Sequence, residues 1–127
     1  MARTILLVED NERNSYLAKY LLEHGGFAVV VAPDGPRALA LVVEAAPAAI
    51  LLDIQLPGMD GYAVARALRA TPVASRLPII ALTSYAMAGD REKALAAGCD
   101  GYIEKPIEPD SFVAEIEKVL ATVAARR

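Results

Sequence analysis

Asp53 is the residue around which chemistry can be built. It closes an apolar run, Ala49-Ile50-Leu51-Leu52, that shows no alternation. Such a run suits a strand buried on both faces of a parallel sheet. The turn-rich stretch Leu56-Pro57-Gly58-Met59-Asp60-Gly61 follows. Open α/β sheets place their ligand chemistry there, outside the carboxyl end of a central strand. Other apolar runs end in polar groups too. Thr4 to Val8 leads into Glu9 and Asp10, and Pro78 to Leu82 into Thr83 and Ser84; Gly101-Tyr102-Ile103 leads into Glu104-Lys105-Pro106. Three carboxylates in one cleft repel each other and raise one another's pKa values. A hard divalent cation relieves that repulsion, and Mg²⁺ accepts one or two carboxylates while keeping waters and phosphate oxygens. Lys105 adds a point charge suited to phosphate, and Thr83 a hydroxyl that can donate to a phosphoryl oxygen. The set reads as an aspartate nucleophile that takes a phosphoryl group with Mg²⁺. Taken singly, Asp53 reads equally as a loop acid, and Glu9 and Asp10 as capping acids before Asn11.

Alternating elements must bring these residues together. After the first strand, Asn11 offers an N-cap oxygen. Leu17, Tyr20 and Leu21 recur at helical spacing, and Gly25-Gly26 ends that helix. Phe27 to Val31 is β-branched and reads as a strand. Asp34-Gly35-Pro36 opens a second helix with Leu39, Val42 and Val43 as its apolar stripe, ending before Pro47. Asp60 caps a third helix carrying Val64 and Leu68. Thr71-Pro72 and Leu77-Pro78 bracket a loop before the fourth strand. An Ala-rich helix runs through Ala94 to Ala97 and stops at Gly98. A last helix aligns Phe112, Ile116, Val119, Leu120 and Val123 on one face. Five strands alternating with five helices argue for an α/β fold with a parallel sheet covered on both sides by right-handed crossovers, and the known doubly wound, flavodoxin-like order 2-1-3-4-5 fits a chain of this length.

The 127 residues suit one domain, residues 1–127, and the 55% hydrophobic share excludes disorder. No apolar stretch approaches the ~20 residues of a membrane span. No signal peptide is expected, since Met1-Ala2-Arg3-Thr4 leads straight into a strand. The single cysteine, Cys99, fits a reducing cytoplasm and reads as a small buried residue. A net charge of −3 gives no general attraction to nucleic acid. His24 lies near the end of the first helix, where a cation is favoured. Asp90 to Lys93 reads as a solvent-facing charged turn, and Arg126-Arg127 as a solvated terminus.

Taken together, Val8-Glu9-Asp10-Asn11, Asp53 through Gly61, Leu82-Thr83-Ser84 and Tyr102-Ile103-Glu104-Lys105-Pro106 resemble the receiver domains of two-component response regulators. The likeness covers essentially the whole chain. The Asp-Asn-Glu opening, Ala86 to Asp90 and Gly98 to Tyr102 look most like DivK-type single-domain regulators, and receivers of hybrid histidine kinases look similar. The resemblance implies that Asp53 is the phosphoacceptor and that Asp10 and Asp53 are metal carboxylates. It implies that Glu9 holds a metal-bound water and that the backbone carbonyl of Gln55 is the remaining protein ligand. Thr83 and Lys105 would contact the phosphate, with Thr83 and Tyr102 as the switch pair. Lys105-Pro106 would be a cis peptide. Gln55 and Tyr85 would influence how fast the phosphoryl group is lost. Implied partners are a sensor histidine kinase or histidine phosphotransfer protein, and a downstream protein bound through the fourth helix, fifth strand and fifth helix. With no output domain expected after the last helix, output would come from binding other proteins. Nothing beyond self-phosphorylation and autodephosphorylation would be catalysed. Glu9 stands where Asp is also common, and Ser84 where a smaller Ala is frequent.

Two alternatives differ in class. A phosphohydrolase resembling the haloacid dehalogenase group needs a second acid two residues after its nucleophile, and that place holds Gln55. A neutral amide cannot protonate a leaving group. An FMN carrier needs a Ser/Thr/Gly-rich phosphate loop after the first strand, where this chain has Glu9-Asp10-Asn11-Glu12.

Overall fold

A computed structural model describes residues 2–56, 58, 60–84 and 89–126. Expectations touching Pro57, Met59, Tyr85 to Ala88 and Arg127 lie outside those residues. In chain order the elements are β1 (Thr4–Val8), α1 (Glu12–His24), β2 (Ala28–Ala32), α2 (Gly35–Ala45), β3 (Ala49–Asp53), α3 (Gly61–Arg69), β4 (Ile79–Thr83), α4 (Asp90–Ala96), β5 (Gly101–Glu104) and α5 (Phe112–Ala125). The sheet runs β2-β1-β3-β4-β5, with every neighbouring pair parallel. This is the doubly wound order expected for the five-stranded sheet. The loop before β4 also holds a 3₁₀ turn, Pro72–Ala74.

The helix starts follow from local hydrogen bonding. Asn11 Oδ1 accepts from the N–H groups of Arg13 and Asn14. Asp34 Oδ1 accepts from Arg37 N–H, and Asp60 Oδ1 from Tyr62 N–H. Each cap satisfies helix-terminal donors that have no partner within the helix. The two expected apolar stripes are met in part, with Val42 buried and Leu21 and Leu39 packed against the cores. In α1 the buried residues are Ala18 and Leu22, while Tyr16, Leu17 and Tyr20 are exposed. In α2 Ala38 and Val42 are buried and Val43 is exposed. Ala18 shares the buried face of α1 with Leu22, and Ala38 that of α2 with Val42.

The continuous apolar runs are explained by two cores, one on each face of the sheet. Leu6, Val8, Ile50, Leu52, Ile79 and Ala81 pack with residues of α2, α3 and α4. Ile5, Leu7, Ala49, Leu51, Ile80 and Leu82 pack with residues of α1 and α5. Alternate side chains of one strand thus serve opposite cores. At the amino ends of β4 and β5 the Arg69 guanidinium ties the loops together. It donates to Leu77 O at 2.6 Å, Gly98 O at 2.9 Å and Asp100 Oδ2 at 2.7 Å. Asp100 Oδ2 also accepts Ile79 N–H.

Gly61 brings α3 against the end of β3. Its N–H donates to Ile54 O at 3.0 Å. A Cβ there would meet Ile54 Cα and would lie 2.8 Å from the carbonyl oxygens of Asp53 and Ile54. These are backbone atoms of the segment that carries Asp53, so no side-chain rotation relieves the clash. Gly61→Ala should therefore destabilise the fold by about 1–3 kcal/mol, the usual cost of forcing extra atoms into a packed site. Urea unfolding checks this, and an unchanged midpoint would contradict it.

Candidate functional site

The chosen strand order brings the carboxyl ends of β1, β3, β4 and β5 to one edge. Carboxylate oxygens of Glu9, Asp10 and Asp53 lie within 4.8 Å of one another. Glu9 and Asp53 are buried, with 3% and 2% of their surface exposed, while Asp10 is open to solvent. Lys105 Nζ stands 2.9 Å from Glu9 Oε1 and 3.2 Å from Asp53 Oδ2. The other oxygens are also occupied: Asp53 Oδ1 accepts Gln55 N–H at 3.0 Å, and Glu9 Oε2 accepts Asn11 N–H at 3.3 Å. The Lys105–Pro106 peptide is cis.

Burial is the main force on Glu9. It pushes the carboxyl from 4.5 to about 7, with the hydrogen bond to Asp53 adding to the rise and Lys105 opposing it. Mutual repulsion was the sequence-based expectation; for Glu9 desolvation ranks above it. Burial also pulls on Lys105 in the neutral direction, but its contacts with Glu9 and Asp53 outweigh this and hold the ammonium above its ordinary range. The donor set is all oxygen and carries more negative than positive charge, which suits a hard divalent cation. Gln55, half-buried with its N–H on Asp53, has its backbone at the same rim.

Thr83 is buried, but its hydroxyl is held by Gln55. Gln55 Nε2 donates to Thr83 Oγ1 at 2.8 Å, and Gln55 Oε1 accepts Ser84 N–H at 3.0 Å. Lys105 N–H donates to Thr83 O at 2.8 Å, so the two expected phosphate contacts are joined through the backbone. The sequence reading gave Gln55 a carbonyl ligand and an influence on phosphoryl loss, but missed this side-chain contact. No local pattern marks a contact between residues 28 positions apart. Tyr102 is half-buried against the α3–α4 core, and burial followed by the Asp90 charge pushes its phenol up. Cys99 is buried, and its thiol is pushed up to about 11, chiefly by burial. That makes it an inert core residue. His24 stacks on Tyr20 with ring centres 4.4 Å apart in the last turn of α1, at the other end of the helix from Asn11.

The response regulator receiver domain profile matches residues 5–117. This chain belongs to the receiver family. It is 38% identical over 120 residues to the polar-differentiation response regulator DivK of Brucella anthropi, an alignment that covers 94% of this chain and 98% of that one. It also resembles, with a TM-score of 0.89 and 30% identity, a putative response regulator from Chloroflexus aurantiacus, covering 95% of this chain and 99% of that one. The receiver domain of a Pseudomonas aeruginosa sensor histidine kinase is 38% identical with a TM-score of 0.82, over 96% of this chain and 97% of that one. That crystal structure has a magnesium ion coordinated in its active-site cleft. Receiver domains are signalling proteins of two-component systems, interact with histidine kinases and downstream targets, and bind Mg²⁺ in an acidic pocket. The cluster of Glu9, Asp10 and Asp53 provides such a pocket here.

The raised Glu9 pKa fixes the sign of a stability effect. Between its unfolded and folded pKa values the folded state binds more protons than the unfolded one. Stability from this group is therefore greatest at low pH and falls as pH rises through about 7. In metal-free buffer the urea midpoint of the parent should fall between about pH 5 and about pH 8, and Glu9→Gln should flatten that part of the profile. Identical pH profiles for the two proteins would refute the assignment.

Proposed function

We propose that this chain accepts a phosphoryl group from a phosphohistidine onto Asp53, assisted by Mg²⁺, and that the modified form binds a protein target differently. The observation that supports this best is the buried Asp53 carboxylate, held between Lys105 and the neighbouring acids at the end of the central strand. Glu9, Asp10, Asp53 and the Gln55 carbonyl would hold the metal, Glu9 through water. When bound, Mg²⁺ neutralises the acids and the phosphoryl oxygens that approach them. Asp53 supplies the attacking oxygen; the P–N bond breaks and the imidazole leaves with the electron pair. Lys105 keeps a positive charge beside the acceptor, and the surrounding core keeps the carboxylate in a fixed place. The phosphohydrolase alternative is disfavoured because Gln55 is a neutral amide engaged with Thr83 and Ser84.

The donor would be a sensor histidine kinase or a histidine phosphotransfer protein. The target would meet the face formed by α4, β5 and α5. Among the described residues no helix is long and apolar enough to cross a membrane, and we place the protein in the cytoplasm as a single receiver domain. Incubation with acetyl phosphate and Mg²⁺ should add one phosphoryl group, and Asp53→Asn should abolish it. Undiminished labelling of that variant by intact-mass analysis would overturn the reading.

The acyl phosphate should bring close to two negative charges to Asp53, by analogy with other phosphorylated side chains. Hydrogen bonds to it from Thr83 and Lys105 contribute about 1.5–3 kcal/mol each, roughly 3–6 kcal/mol together. Moving a two-state equilibrium from mostly inactive to mostly active takes about 5.5 kcal/mol. Both contacts are therefore needed for a full response. Movement of Thr83 toward the phosphoryl group vacates space for Tyr102 and alters the β5 surface. Thr83→Ala should still be labelled at Asp53 but should show much smaller phosphorylation-induced chemical shifts in β5 and α5. Full-size shifts in that variant would exclude Thr83 as the relay.

A further inference from the structure

The sheet ends on β5, and only β4 pairs with it. The ladder sets which backbone groups of β5 face outward. Leu82 O accepts Ile54 N–H from the β3 side, so by alternation Ala81 and Thr83 turn towards β5. Thr83 O accepts Lys105 N–H at 2.8 Å, in agreement. Ala81 stands opposite Tyr102 and Thr83 opposite Glu104, and in a parallel pair each bonds the neighbours of the residue opposite. Ile103 and Lys105 therefore bond β4, while the N–H and C=O groups of Tyr102 and Glu104 point away from the sheet. No bond among the described residues takes up those outward groups. Such an edge is a template for a further strand.

Two cavities, of about 430 Å³ and 320 Å³, lie along this edge. Both are lined by Arg91 of α4, Tyr102 and Ile103 of β5 and Glu115 of α5, so they form one groove between the helices. Its Lys105 end is acidic. Glu104, Glu108 and Glu115 line it, are exposed, and take part in no ion pair among the described residues. Lys105 is engaged with Glu9 and Asp53, which leaves Arg91 as the one uncommitted cation lining that end, among the described residues. Lys118 lines the other end.

We propose that this groove takes an extended, lysine- or arginine-bearing segment of a partner protein, which joins β5 as a further strand by bonding the backbone of Tyr102 and Glu104. A helix has spent its backbone groups internally and would leave those of Tyr102 and Glu104 unmatched. An extended segment matches them, and the acids select its charge. This rests on the α4–β5–α5 face being the one that meets the downstream target. A shift of Tyr102 then changes the docking edge itself.

Amide exchange in the unphosphorylated protein is the first test. Tyr102 and Glu104 should exchange faster than Ile103 and Lys105, and the reverse order would overturn the proposal. The probe is the blocked peptide acetyl-Val-Lys-Val-Lys-Val-amide, whose lysines share one side of an extended chain. It should bind with a Kd of about 1 mM or tighter and slow exchange at Tyr102 and Glu104. The same peptide N-methylated throughout should give no protection. Glu108→Gln combined with Glu115→Gln should weaken binding of the lysine peptide about three- to tenfold, as for exposed ion pairs. No binding in that range would overturn the proposal, as would equal binding of the N-methylated peptide or of the double variant. Shifts in α4 and α5 without protection of the β5 amides would overturn it in favour of a partner docked through side chains alone. Phosphorylation-induced shifts in β5 and α5 report separately on the output face. The peptide test needs no phosphorylation, so the two readings fail independently.

Discussion

Two buried carboxylates share one half-buried ammonium, and the rest of the site is arranged around that imbalance. Removing water from Glu9 and Asp53 is costly unless charge is supplied nearby. Lys105 supplies part of it, at 2.9 Å and 3.2 Å. Asp10 adds a third acid at the solvent side, so the pocket retains an excess of negative charge. The raised pKa of Glu9 is the visible sign of this excess, with burial as its larger cause. Such a site is poised for a ligand that brings positive charge with it. It also dictates topology. β1 and β3 must be neighbours for Glu9 and Asp53 to meet, and the order β2-β1-β3-β4-β5 makes them so.

The two ends of the sheet divide stability from chemistry. At the amino ends of β4 and β5, Arg69 directs its donors to loop carbonyls and Asp100. At the carboxyl ends the acids outnumber the cation. The missing side chain of Gly61 lets α3 begin against the backbone of Asp53 and Ile54, so Asp53 sits on a segment clamped by a helix start.

Much of this was legible in the residues. Ala49 to Leu52 lacks alternation because each face of a central parallel strand meets its own core, and that pattern survives in any single sequence. The caps at Asn11, Asp34 and Asp60 were legible because a capping bond spans only two or three residues. Helix phase was harder. Leu17, Tyr20 and Val43 are apolar at helical spacing yet exposed, since Ala18 and Ala38 take buried positions beside Leu22 and Val42 and hydrophobicity alone ranks the larger residues first. The strand placed at Phe27 to Val31 begins one residue later, because Phe27 packs in the core as the chain turns into β2. The role of the Gln55 side chain was not legible, because it depends on a contact between β3 and β4 that no spacing encodes.

Strand alternation raises a question that the Gln55 contact answers. Asp53 follows Ala49 and Leu51, which serve the α1–α5 core, as Glu9 follows Ile5 and Leu7. Thr83 follows Ile79 and Ala81, which serve the α2–α4 core, and Tyr102 packs against that same core. By the two-residue period of a strand, Asp53 and Thr83 therefore belong to opposite faces of the sheet. Beyond the strand ends, where the backbone leaves the ladder, a side chain can join groups that alternation assigns to opposite faces. Gln55 stands there, with its N–H on the Asp53 side and its carboxamide on the Thr83 side. Its side chain is long enough to span the gap that alternation creates, and its two-sided amide gives it a contact with each group at the end of β4.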